Sequence, residues 1–83
     1  MTRTINQPVN VTGYIFTKGR TFPSRVQFGN TELTFEHGGL RCLVQKGQEM
    51  IEIFNMSDGR DQYRLKFERS ARSWTLLTHQ VVC

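Results

Sequence analysis

Apolar and polar residues alternate with a period of two along most of this chain. In Tyr63-Arg64-Leu65-Lys66-Phe67-Glu68 the three apolar residues are every second one. Successive side chains of an extended strand point to opposite sides, so Tyr63, Leu65 and Phe67 would face a core while Arg64, Lys66 and Glu68 face water. A helix would scatter the same residues around its circumference. Thr31-Glu32-Leu33-Thr34-Phe35-Glu36 and Leu40-Arg41-Cys42-Leu43-Val44 repeat the pattern less strictly. In Met50-Ile51-Glu52-Ile53-Phe54-Asn55-Met56 both faces are largely apolar, which implies that both are covered. A short helix over Gln48–Phe54 is the competing reading there; the β-branched Ile51 and Ile53 favour a strand.

Turn residues cut the chain at the short intervals typical of all-β domains. Lys18-Gly19-Arg20, Gly29-Asn30, His37-Gly38-Gly39, Lys46-Gly47-Gln48, Ser57-Asp58-Gly59-Arg60 and Arg69-Ser70-Ala71-Arg72 separate strands expected near 9–17, 22–28, 31–36, 40–46, 50–56, 62–68 and 73–82. Gly13 falls inside the first of these, the usual mark of a bulge or bend, and Pro23 indicates a strand start or a sheet edge. An open sheet of short strands leaves two unpaired edges, and curling the sheet protects them. The expected fold is therefore all-β: a small antiparallel meander of six to seven short strands curled into a barrel or roll of SH3-like or OB-like size. Residues 1–83 form one domain in this reading, with 1–8 a loose N-terminal segment, since neither repeats nor linkers divide the chain.

Length narrows the function classes. Eighty-three residues can bury one core, which excludes barrels of the α/β kind, doubly wound nucleotide folds and two-domain enzymes. Nine aromatics and 37% hydrophobic residues suffice for that core. Two cysteines, Cys42 and Cys83, are too few for a secreted disulfide scaffold and read as free thiols. The N-terminal residues are polar, and no run approaches the roughly 20 apolar residues of a spanning helix, so the expectation is a cytoplasmic protein without membrane contact.

Charge carries the best functional hint. Eleven Lys+Arg against seven Asp+Glu give a net +4, and eight of the eleven cations are arginine. Arginine presents a planar fork that grips phosphate and stacks on bases. Arg60, Arg64, Lys66, Arg69 and Arg72 cluster within thirteen residues, with Arg20 and Arg25 as additions and Tyr14 and Trp74 as stacking rings. A sheet presenting arginines among aromatics suits single strands, since phosphates meet the cations and bases lie on the rings. The favoured expectation is a non-enzymatic binding module whose partner is RNA or single-stranded DNA. The plainer reading of the same residues is a solvated face with Trp74 in the core.

Two alternatives compete. The apolar strand carrying Met50, Ile51, Ile53, Phe54 and Met56 would serve self-association, with a homodimer or another protein as partner. Glu36, His37 and Arg41 beside the Gly-Gly turn are the minimum set for a small ribonuclease, though neighbours on a strand point apart. No cofactor is expected. His37, Cys42, His79 and Cys83 are zinc-ligand types, but they lack a tight Cys-x2-Cys knuckle, and residues four apart on a strand lie about 13 Å from each other. Phosphate-binding loops, a Gly-x-Ser-x-Gly elbow, the Gly-x-x-Gly loop of KH domains and the RNA-recognition aromatic pattern are all absent.

Overall fold

The computed structural model describes residues 1–17 and 19–81, and of His37, Gly38 and Leu40 it describes the backbone alone. Seven strands follow in chain order: β1 (Thr2–Thr17), β2 (Arg20–Phe28), β3 (Thr31–Thr34), β4 (His37–Lys46), β5 (Glu49–Ser57), β6 (Gln62–Glu68) and β7 (Ser73–Gln80). They form one antiparallel sheet in the order β3-β2-β1-β7-β6-β5-β4. No helix occurs among the described residues, so none is long and apolar enough to cross a membrane. The alternation and turn spacing anticipated an all-β antiparallel sheet; the pairing of β1 with β7, which places the consecutive β3 and β4 at opposite edges, departs from a simple meander. Of Gln48–Phe54, residues 49–54 enter β5 rather than a helix, as the β-branched Ile51 and Ile53 favour.

The sheet is folded across β1. The first part of that strand, Thr2 to Val9, pairs with β7, and Asn10 to Thr17 pairs with β2. Register shifts on both sides of Gly13 interrupt the β1–β2 ladder soon after this passage, where the sequence placed a bulge or bend. The β1–β2–β3 layer thereby lies over the β7–β6–β5 layer. Phe22 meets Phe54 edge-on at 6.0 Å and Phe35 meets Tyr63 at 5.2 Å between ring centres. Val9, Val26, Met56, Leu65 and Leu76 complete the buried core with these four rings.

The structure departs from the sequence reading in detail at the N-terminal segment and at the sheet's edges. Residues 2–8, expected to be loose, form the first half of β1. Only Ile5 is half-buried before Val9, so this stretch has little apolar signal, and it is held by backbone bonds to β7. Asn6, at φ 56°, takes the left-handed conformation that asparagine tolerates, at a register shift between Thr4 and Gln7. The sheet is also not closed into a barrel: it ends on β3 and β4. These are consecutive in the chain, but the link between them crosses from layer to layer. Phe35 N–H donates to the Ser24 carbonyl of β2 (2.8 Å) and Glu36 N–H to the Ser57 carbonyl of β5 (2.9 Å).

The β2–β3 and β4–β5 hairpins are two-residue Gly-x turns. Within these two turns positive φ is confined to Gly29 (58°) and Gly47 (64°), the first central position of each, as a type II′ turn requires.

Candidate nucleic-acid interface

Trp74, near the start of β7, pairs across the sheet with Val9 of β1 and Phe67 of β6. Its ring centre lies 4.7 Å from Phe67, 5.3 Å from Phe54 and 6.5 Å from Tyr14. The indole is half-buried, resting on the core and meeting solvent beside Tyr14, whose ring is 57% exposed. Phe16, two residues further along β1 and on the same side, is also exposed. Tyr14, Phe67 and Trp74 are shared by two open depressions. The larger, about 780 Å³, adds Arg69 and Arg72 from the β6–β7 turn and Asn10 and Val11 from β1. The smaller, about 310 Å³, adds Arg20 and Thr21 at the start of β2, with Arg41 and Glu52.

Glu52 sits on the inward face of β5 with Phe54 and Met56, only 7% exposed. Both Arg41, from β4, and Arg69, from the β6–β7 turn, donate to its Oε1: Arg41 through Nε at 3.0 Å and again through a terminal nitrogen, Arg69 at 3.3 Å. Burial pushes the Glu52 carboxyl up, but the hydrogen bonds from Arg41 and Arg69, reinforced by their charges, outweigh it and hold the group below its ordinary value. The carboxylate is therefore ionised at neutral pH and the trio is net positive. The Arg41 guanidinium also lies over the Phe54 ring, 5.9 Å from its centre.

The structure brings Tyr14, Trp74, Arg20, Arg69 and Arg72 to one cleft. Arg64 and Lys66 lie on the opposite face, because β6 turns Tyr63 and Leu65 inward. There Arg64 Nε donates to Asn55 Oδ1 at 3.1 Å and Lys66 pairs with Glu68 at 3.0 Å. Arg60 is exposed in the β5–β6 turn and Arg25 is exposed on β2, paired with Gly13. Arg41, Glu52 and Phe67 were not assigned to this site from the sequence. Glu52 did leave a signal: it is the one carboxylate on a face otherwise formed by Met50, Phe54 and Met56, which calls for a cationic partner.

The other candidates fall as follows. Phe54 and Met56 belong to the core, while Met50, Ile51 and Ile53 are half-buried. Ile51 and Ile53 pair with Val44 and Cys42 of the edge strand β4. Cys42 is a free, exposed thiol; Cys83 lies outside the described residues. Of the ribonuclease set, Arg41 is engaged by Glu52, Glu36 is exposed with its carboxylate beside Gly59, and the side chain of His37 lies outside the described residues. Among the described residues no group of three or more ligand-type side chains is placed to hold a metal.

A separate polar cluster joins the β5–β6 turn to β7. His79 Nε2 donates to Asp61 Oδ2 (2.8 Å), the His79 ring stacks on Tyr63 at 4.5 Å, and the Tyr63 hydroxyl donates to Asp58 (3.3 Å). Backbone N–H groups of Asp61 and Arg60 donate to Asp58 Oδ1 at 2.7 and 2.9 Å, and these bonds hold its carboxyl below the usual value. Compared with protein-family models, curated proteins and solved structures, the chain matches none.

Proposed function

We propose that this protein is a non-enzymatic binding module that takes single-stranded nucleic acid, RNA or DNA, in the cleft around Trp74. One observation carries the reading: an exposed tyrosine and a half-buried tryptophan stand side by side between two depressions, each lined by arginines. Bases stack on such rings without regard to sequence, and the guanidinium groups meet the phosphates. Arg64 and Lys66, on the other face, contribute only to the general field.

Trp74 is the single tryptophan, so its emission reports the cleft directly. Titration with dodecathymidylate and with an oligouridylate of the same length should quench that emission, with log K falling linearly against log salt. Tyr14→Ala should weaken binding by about tenfold, the lower part of the range for losing one stacking partner. Arg64→Ala should change it little. Quenching that ignores salt, or equal losses in the two variants, would refute the assignment.

A second reading, self-association, is favoured by the edge strand β4, where Leu43 is 53% and Val44 46% exposed. Strand β4 is paired with β5 on one side only, and its outer edge, with free backbone groups and apolar side chains, invites a second copy. Light scattering at high concentration should then give a dimer that Val44→Lys disperses; a monomer throughout would remove this reading.

A further inference from the structure

Arg41 and Arg69 reach the same carboxylate oxygen from different sides. Arg41 lines the smaller depression and Arg69 the larger, and Trp74 and Tyr14 belong to both. A guanidinium has five N–H donors. Arg41 spends two groups on Glu52 and Arg69 one, so both retain donors for a ligand. Beyond this inner pair, Arg20 stands on the Arg41 side and Arg72 on the Arg69 side. Neither has a carboxylate within ion-pair distance among the described residues. Arg20 and Arg41 thus line one depression and Arg69 and Arg72 the other, and the two depressions share one aromatic platform.

Two cationic pairs flanking one ring pair match a repeating chemistry. In a single strand each base is flanked by two phosphates, and a base lying on Trp74 would send one phosphate to each side. Free nucleosides lack both charges, and mononucleotides lack one. A duplex keeps its bases stacked inside and cannot place one on the indole without flipping it.

We propose that the cleft recognises a phosphate–nucleoside–phosphate unit of a single strand, with Arg20 and Arg41 holding one phosphate, Arg69 and Arg72 the other, and Glu52 acting as the positioning residue that fixes Arg41 and Arg69 side by side. This rests on the nucleic-acid reading above and adds the size and charge of the unit recognised. Glu52 itself touches no ligand: a carboxylate beside phosphate would repel it, and its Oε1 is covered by the two guanidinium groups.

The test is competition against dodecathymidylate, read by Trp74 emission at about 50 mM salt, where phosphate contacts are strong. Competitors are thymidine, its 5′-monophosphate, its 3′-monophosphate and its 3′,5′-bisphosphate. The bisphosphate should displace the oligomer at least tenfold better than either monophosphate, and thymidine should be weakest. Arg20→Ala and Arg72→Ala should each reduce that preference and lower the salt slope for dodecathymidylate by about 0.7, the single-strand value per phosphate contact. Glu52→Gln, which keeps the side chain's shape but loosens both guanidinium groups, should reduce the bisphosphate preference while leaving displacement by thymidine unchanged. If dodecathymidylate binds but the bisphosphate competes no better than a monophosphate, the two-phosphate unit is wrong and the broader reading survives. If dodecathymidylate does not bind at all, both fall together.

Discussion

Arg72 is a residue in an unfavourable conformation at a useful place. Its φ of 51° is left-handed, where a side chain with a Cβ is strained by about 1–2 kcal/mol, yet it closes the β6–β7 turn and lines the larger depression. Replacing it with glycine relieves the strain but loosens the unfolded chain, which offsets part of the gain. Arg72→Gly should therefore raise stability by about 0.5 kcal/mol, seen as a higher urea midpoint, while weakening nucleic-acid binding. A variant that is both less stable and equally tight would contradict both roles. Tyr63 makes a second prediction. Burial first, and the charges of Asp58 and Asp61 second, push its hydroxyl up to about 12. A phenol whose folded value lies above its unfolded one, about 10, stabilises the fold fully below that lower value and loses the contribution as pH rises toward the upper one. Urea denaturation of the wild type should show stability falling between about pH 10 and 12, and Tyr63→Phe should flatten that fall.

At the scale of elements, β4 is held close to β5 at one point where no side chain fits. A Cβ at Gly39 would stand 2.7 Å from the backbone oxygen of Asn55, and the register of the pair shifts between Gly38 and Arg41. That oxygen belongs to a strand paired on both sides, so it cannot move aside cheaply. Gly39→Ala should cost about 1–3 kcal/mol, the range for forced overpacking, measurable as a lower thermal midpoint. The consequence reaches the site, because β4 carries Arg41. A shifted β4 should loosen the Arg41–Glu52 contact and weaken binding as well. The sequence reads Gly38 and Gly39 as a turn, whereas they lie within β4; the close approach of Gly39 was not legible, because Asn55 lies sixteen positions away and only pairing brings it near.

Across the whole molecule, stability depends on one fold-over of a single sheet. Phe22 of β2 and Phe54 of β5 belong to different layers, and their edge-on contact joins the layers beside the smaller depression, which Phe54 lines. Phe22→Ala should cost about 3–5 kcal/mol, since it opens a cavity between layers. That loss rivals the lower end of the total stability of a small domain, so circular dichroism should show a largely unfolded chain at 37 °C. A Phe22→Leu variant, which keeps most of the volume, should remain folded with Trp74 emission little changed. Nucleic-acid affinity should follow the fold in both.

Local information was sufficient wherever the deciding interaction was local. Alternation in Tyr63–Glu68 assigned the faces of β6, and glycines at 29 and 47 set two hairpins, because side-chain period and turn dihedrals are properties of a few adjacent residues. The pairing of residues 2–8 with β7 was hidden, since backbone bonds leave no mark on side-chain polarity. The cleft was half legible: Tyr14, Trp74, Arg20, Arg69 and Arg72, grouped by residue type in the sequence, line it, but a sequence lists arginines without saying which face each one takes. Tertiary structure made that division, leaving Arg64 and Lys66 on the face away from the cleft and joining Arg41 to Arg69 through a carboxylate eleven and seventeen positions away, because β4 and β6 pair on either side of β5.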